Sequence, residues 1–203
     1  MKEKRTSAEE LLARLSADGN YVAEQQRKDE ALRKRQAELE QAEAPIVADL
    51  HEAGVDVAST WDIVNRKEAF PLAMPVLRKH LDLNYPHKVR EGIARAMSDS
   101  AARPYWRDLV RIYKLEADEH VKDALAVALC GAAGPEQYDE LISLSLDPAN
   151  GSSRVVLIWA LERRIPVEQA EPILVKLVTD NVTKLQAEAS LKIVRAKMAR
   201  QKK

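Results

Sequence analysis

The chain is poor in the residues that build β-rich or disulfide-linked proteins. It contains 6 glycines, 4% aromatic residues and a single cysteine among 203 residues. So little glycine and aromatic content argues against a β-sandwich or barrel, which needs turns and strand formers in quantity. One cysteine excludes an intramolecular disulfide framework and a zinc site built from several cysteines.

Long apolar segments are also missing. No apolar run approaches the roughly 18 residues that suggest a membrane span, and the start MKEKRTSAEELLARL lacks the apolar region of a signal peptide. The apolar content of 46% and the charged content of 32% instead fit a folded, heavily helical protein. We therefore expect a cytoplasmic protein without a membrane partner.

The net charge of zero hides an uneven distribution. Residues 46–191 carry 17 basic and 22 acidic side chains, whereas the stretch KIVRAKMARQKK (192–203) carries 6 basic side chains and no acidic one. Nucleic-acid binding normally needs a clustered basic surface. We expect residues 199–203 to form a solvated basic tail that could touch nucleic acid only nonspecifically.

A nine-residue block recurs along the second half of the chain. VREGIARAM (89–97), VKDALAVAL (121–129) and SRVVLIWAL (153–161) follow one another at intervals of 32 residues, and TKLQAEASL (183–191) is a looser copy 30 residues further on. The residues at positions one, five, eight and nine of the block form the stripe of an amphipathic helix. Repetition at such a period is typical of repeat architectures.

A first helix is predicted before each block. These helices cover 70–81, 103–115, 135–146 and 166–178, with apolar residues at equivalent positions in Leu77, Leu109, Leu141 and Ile173. One helix pair cannot bury its own apolar face, so successive pairs must stack. The pattern predicts an all-α, right-handed α-solenoid of about four helix pairs. Within it, we expect Gly131 to cap its helix and the neighbouring Cys130 to be a small, partly buried filler.

The turn and block sequences resemble the HEAT-repeat family in its short bacterial form. The segments that carry the resemblance are DEHVKDALAVAL and LNYPHKVREGIARAM, and the similarity covers roughly residues 55–198. The resemblance implies the solenoid fold, and it implies protein binding, since most HEAT proteins are scaffolds. Some relatives differ: AlkD-type DNA glycosylases use the concave groove on DNA, and phycobilin lyases act on a chromophore. The patterns of tetratricopeptide and ankyrin repeats are missing.

The first 45 residues differ in kind from the repeats. The stretch EQQRKDEALRKRQAELEQAEA is rich in helix formers, and its apolar heptad track is interrupted by polar residues at 25, 29, 36 and 43. We interpret residues 1–45 as a charged helical extension, either a cap on the first repeat or a weak coiled coil between chains, with a break at Asp18-Gly19-Asn20. The HEAT-like repeat domain then covers 46–198, and the protein is a monomer or a weak dimer.

No catalytic or cofactor motif stands out in the sequence. The four histidines form no H-E-x-x-H pattern, and neither C-x-x-C nor a calcium loop occurs, so we expect no metal site and no cofactor. The loop Asn150-Gly151-Ser152-Ser153 resembles a phosphate-binding turn, but we favour the simpler interpretation of a longer turn between two helices with a serine N-cap. We expect a protein that is not an enzyme.

A basic residue stands at the second position of every block. These residues, the ladder, are Arg90, Lys122, Arg154 and Lys184. They could bind an anion along one edge of the solenoid. The alternative, which we favour, is that each bonds to an acidic or carbonyl group of a neighbouring turn, where Asp82, Asp118, Asp147 and Asp180 lie.

The candidate binding residues lie on the second helices, which line the concave face of HEAT-like solenoids. The third and seventh positions of the blocks contribute Glu91, Asp123 and Val155, and Arg95, Val127 and Trp159. From these, with Arg163 one turn beyond Trp159, we predict partner contacts by Arg95, Val127, Val155, Trp159 and Arg163. Trp159 could equally fill the core of the last repeat.

These observations favour a non-catalytic scaffold or adaptor that binds a protein of unknown identity, or an inhibitor such as an immunity protein. The alternative is a nucleic-acid-binding protein of the AlkD DNA glycosylase type, and a third possibility is a lyase-type accessory that binds a small ligand. A continuous basic groove would favour nucleic acid, an enclosed pocket would favour the small ligand, and a mixed face with apolar spots would favour a protein.

Overall fold

The computed structural model describes residues 7, 12, 15–66 and 68–201, and within these ranges every regular element is helical. The predicted all-α class is therefore confirmed. The chain divides into two compact units, Met1–Ala42 and Glu43–Lys203. None of the helices described has the length and apolar character needed to cross a bilayer.

Helix α1 (Gly19–Glu52) begins at the predicted break. The Asp18 carboxylate accepts a hydrogen bond from the backbone N–H of Asn20 at 2.9 Å, as an N-cap residue does. Between residues 19 and 42 no side chain is buried, and pairs such as Lys28–Glu24, at 2.7 Å, lie on the solvated surface. This part of the helix forms because its residues favour helix, without an apolar face of its own.

The second unit begins with the last turns of α1, where Glu43, Ile46 and Leu50 are buried. The Glu43 carboxylate accepts hydrogen bonds from the backbone N–H of Thr60 at 2.7 Å and from the hydroxyl of Ser59 at 2.9 Å. These groups lie at the start of α2 (Thr60–Asn65). Negative charge stabilises a helix N-terminus. Glu43, one of the residues that interrupt the heptad track, therefore caps the N-terminus of α2.

The remaining helices alternate between the predicted first and second helices. Their bounds are α3 (Ala73–Leu81), α4 (His87–Ala96), α5 (Trp106–Leu115), α6 (Glu119–Ala132), α7 (Tyr138–Leu146), α8 (Arg154–Arg163), α9 (Val167–Leu177) and α10 (Lys184–Gln201). Short 3₁₀ helices precede α5, α7 and α8, at Ser100–Tyr105, Pro135–Gln137 and Pro148–Ser153. Helix α10 runs into the stretch that the sequence assigned to a separate tail.

The core lies between these two sets of helices. The second helices contact one another in order, α2 with α4, α4 with α6, α6 with α8 and α8 with α10. The fifth block positions Ile93, Leu125 and Leu157 are fully buried, and so are Leu77, Leu109 and Leu141 of the first helices. Burial of each such side chain is worth about 1.5–3 kcal/mol.

Two sequence expectations within this core are wrong. Ile173 is only half-buried, and its neighbour Leu174 is fully buried instead. The connection from α8 to α9 lacks the 3₁₀ segment that precedes α5 and α7, and the register of α9 is displaced by one residue.

The second wrong expectation concerns Gly131, which does not cap its helix. Helix α6 continues to Ala132, and a Cβ atom at Gly131 would lie 2.4 Å from the backbone carbonyl carbon of Ser98. The glycine is needed because two backbones approach each other closely at this point. Cys130 beside it is half-buried, with its sulfur 3.6 Å from the carbonyl oxygen of Val156.

Candidate interaction face

The ladder residues Arg90 and Arg154 bond to acids in the turn that joins the two helices of the next pair. Arg154 is 2% exposed, and its guanidinium donates to the Asp180 carboxylate at 2.9 Å and to the carbonyl of Gly151 at 3.0 Å. Arg90 donates in the same way to Glu116, at the same separation of 26 residues along the chain. Both side chains therefore join one repeat to the next.

Lys122 and Lys184 do not follow this pattern. The residue 26 positions after Lys122 is Pro148, which has no charge, and the Lys122 ammonium instead lies over the Tyr113 ring, 5.3 Å from its centroid. Lys184 is exposed, and its ammonium has no hydrogen-bonding or ion-pair partner within the described ranges.

The turn aspartates also have different partners from those expected. Asp118 and Asp147 accept backbone hydrogen bonds at helix starts, and Asp82 pairs with Arg78 and Arg111. Of the four aspartates, Asp180 alone receives a ladder residue.

The remaining candidates define what we call the candidate face: the third and seventh block positions of α4, α6 and α8, together with Arg163. At its α4 end, Glu91 is 7% exposed and bonds to Lys88 at 2.9 Å and to Arg95 at 3.0 Å. Burial of this carboxyl opposes its ionisation, but the hydrogen bonds and charges of the two cations outweigh burial and lower the pKa of Glu91. At this end the charges are satisfied within the protein.

In α6, Asp123 occupies the position that Glu91 has in α4. The two cations that pair with Glu91 have no equivalent here, since His120 occupies the position of Lys88 and Val127 that of Arg95. No described residue donates a hydrogen bond to the half-buried Asp123 carboxylate. Burial raises the pKa of this carboxyl, and the charge of Arg95 only partly offsets the effect.

The face becomes apolar at α8. Trp159 is 52% exposed, which answers the question left open by the sequence: it is a surface residue. The Arg163 guanidinium stacks over its ring, 5.0 Å from the centroid, and Val155 one turn earlier is half-buried. The other two tryptophans differ, since Trp106 is 6% exposed and Trp61 is half-buried.

Helix α10 adds two apolar residues that the sequence analysis did not select. Leu185 and Ala189 occupy the third and seventh positions of the fourth block, and both are exposed, Leu185 to 82%. The alignment of the blocks contains the signal for both residues, because the same two positions hold Val155 and Trp159 in α8. The apolar end of the face thus extends over two adjacent helices.

Arg95 and Val127 also line a cavity of about 310 Å³ beside the α4 end of the face. Its other walls include Ile63, Phe70 and Asp99. The structure therefore brings Arg95 and Val127 together, while Trp159 and Arg163 form a separate group on α8.

Two other polar clusters resemble functional sites but hold the fold together. His80 is 3% exposed, and its ring is hydrogen-bonded to Asp49 and to the Tyr85 hydroxyl, each at 2.7 Å. In the loop that resembles a phosphate-binding turn, Asn150 donates to the carbonyl of Leu144 at 2.9 Å and Ser153 bonds to the Tyr113 hydroxyl at 2.7 Å. Over the part of the chain that the structure covers, no group of three or more His, Cys, Asp or Glu side chains could hold a metal ion.

Comparison with known proteins yields no match: no family model, no curated protein and no solved structure is significantly similar to this chain.

Proposed function

We propose that this chain is a HEAT-like, right-handed α-solenoid of about four helix pairs that binds a partner protein through the candidate face. In this proposal the protein is not an enzyme, and it acts as a scaffold, an adaptor or an inhibitor of its partner.

The observation that carries the proposal is the exposure of Trp159. A half-exposed tryptophan beneath a stacked arginine has the composition of an interface hot spot. Leu185 and Ala189 on the adjacent helix enlarge the apolar area, and exposed patches of this kind are typical of interaction sites.

The charges of the face favour a protein over a nucleic acid. Asp123 lies at its α6 position, where a phosphate backbone would meet a carboxylate to which no described residue donates a hydrogen bond. A groove for DNA needs clustered lysines and arginines, and here Arg95 is already paired with Glu91.

The test is affinity capture from an extract of the native host, with nuclease treatment, using the tagged full chain as bait. A variant with Trp159→Ala and Arg163→Ala should bind the specific partner at least about tenfold more weakly. The reason is that loss of a hot spot reduces the binding free energy by about 2 kcal/mol or more. Leu115→Ala is the matched control, since Leu115 is 76% exposed and lies on α5, outside the face.

A captured protein that survives nuclease and is lost only with the double variant supports the proposal. The proposal is contradicted if the double variant and the Leu115 variant reduce capture equally. It is also contradicted if only nucleic acid is captured. Trp159, Arg163 and Leu115 are all exposed, so both variants should keep the thermal midpoint of the wild type. The midpoint of each chain is measured alongside the capture.

A further inference from the structure

We propose that the partner inserts a lysine or arginine against Asp123 and places an aliphatic or aromatic side chain on Val155, Trp159 and Leu185. This inference rests on the proposed function and specifies the chemistry of the partner: a protein segment that combines one basic residue with one apolar residue.

The first argument is that, among the described residues, Asp123 has no hydrogen-bonded counterion although its equivalent has two. Glu91 receives Lys88 and Arg95 from its own helix, and in α6 these positions hold His120 and Val127. His120 is exposed and makes no hydrogen bond to Asp123 among the residues described. The carboxylate is therefore available to a cation from outside.

The second argument is the charge around Asp123. The charged and titratable groups that act on it are Arg95 and Glu91 of α4, and His120 and Glu119 of α6. Arg95 is already bonded to Glu91, and Glu119 adds negative charge. A cation that reaches this point gains a charge-assisted hydrogen bond, whereas an anion is repelled.

The third argument is cost. A half-buried carboxylate without a partner destabilises the folded chain, and burial accordingly raises the pKa of Asp123. Residues that break local rules without internal compensation occur mainly at functional sites. Asp123 meets that description, and it is located between the paired charges of α4 and the apolar surface of α8.

The spacing of the helices sets the spacing within the partner. Helices α6, α8 and α10 contact one another in sequence, and packed helices lie about 8–10 Å apart. An extended segment covers this distance in about three residues. The basic and apolar residues of the partner should therefore be about three positions apart in an extended peptide.

The experiment is a selection of random dodecapeptides displayed on phage, with the biotinylated full chain as bait and the Trp159→Ala chain for counter-selection. The recovered peptides are then measured by fluorescence anisotropy against the wild type, Asp123→Asn and Glu119→Gln. Glu119→Gln is the matched control, because it removes one negative charge from the same helix at an exposed position.

We expect recovered peptides to contain lysine or arginine about three positions from an aliphatic or aromatic residue. Asp123→Asn should weaken their binding about ten- to hundredfold, as expected for loss of a charge-assisted hydrogen bond, and Glu119→Gln by less than about threefold. The Asp123→Asn chain should unfold at no lower temperature than the wild type, so weaker binding cannot come from unfolding.

Two results overturn the inference, and they are distinguishable. Peptides that depend on Trp159 but lack a basic residue, or that bind Asp123→Asn as tightly as the wild type, overturn the role of Asp123 and leave the proposed function standing. If no peptide binding is sensitive to Trp159→Ala, the inference fails together with the proposed function.

Discussion

Helices α4 and α8 present the same two block positions and use them in opposite ways. In α4 these positions hold Glu91 and Arg95, which bond to each other, so the charges are neutralised within one helix. In α8 they hold Val155 and Trp159, and the indole is 52% exposed. The repeat determines where a side chain points. It does not determine whether the side chain interacts within the protein or is left for a partner.

The energetic consequence is that free energy for binding is concentrated at the α8 end. A large aromatic side chain buries about 150–250 Å² when fully covered, so the half that Trp159 exposes is worth about 2–3 kcal/mol when a partner covers it. Glu91 and Arg95 offer no such gain, because a partner would first have to break an existing ion pair.

The largest expected effect comes from Arg154, the buried member of the ladder. Arg154→Ala removes a buried guanidinium with bonds to Asp180 and Gly151, and we expect the free energy of unfolding to fall by about 2–3 kcal/mol. Lys184→Ala is the control, with an expected change within about 0.5 kcal/mol, because Lys184 is exposed. Urea unfolding followed by circular dichroism measures both. Equal effects of the two substitutions would show that the bonds of Arg154 add no stability.

A smaller loss is expected from Glu91→Gln, which breaks the ion pair that distinguishes α4 from α8. We expect about 1–2 kcal/mol at pH 7. The pKa of Glu91 is lowered below its ordinary value of 4.5 in the folded chain, so its stabilisation is complete above that value and is lost as the pH falls through the folded pKa. Urea unfolding at several pH values should therefore show the stabilities of wild type and variant converging as the pH falls below 4.5. A constant difference across this range would contradict the ionic origin of the effect.

The smallest effect, and the one of opposite sign, is expected for Asp123→Asn in the absence of a partner. Burial raises the pKa of Asp123, so its ionised form destabilises the folded chain above the folded pKa, and this cost disappears as the pH falls below the ordinary value of 3.8. The variant should thus melt slightly above the wild type at pH 7, and the difference should vanish near pH 3. A lower melting temperature at pH 7 would mean that Asp123 has an internal partner after all.

The sequence predicts the helices and the core well because both depend on periodicity. Ile93, Leu125 and Leu157 are buried where the 32-residue repeat places them. Features that depend on one contact between distant residues could not be predicted in this way. The Glu43 carboxylate at the start of α2 and the close approach of Gly131 to Ser98 are two such contacts. Each requires knowing how one element packs on another, and neither leaves a periodic signal.

The candidate face shows the same division. Its positions follow from the block register, but the exposure of Trp159 and the isolation of Asp123 depend on neighbouring helices. The replacement of Lys88 and Arg95 by His120 and Val127 is visible in the aligned blocks. It becomes informative only when the structure shows that Glu91 bonds to both of its cations.

The position of Cys130 makes its thiol slow to react with oxidants and alkylating agents. Burial raises the pKa of its thiol to about 12, so at neutral pH very little of it is the reactive thiolate. This is the chain's sole cysteine, and disulfide exchange, sulfenylation and alkylation all proceed through the thiolate. A cysteine introduced at an exposed position would therefore be the one fast-reacting thiol in the molecule, and a crosslinker attached there would report on a partner without any need to remove Cys130.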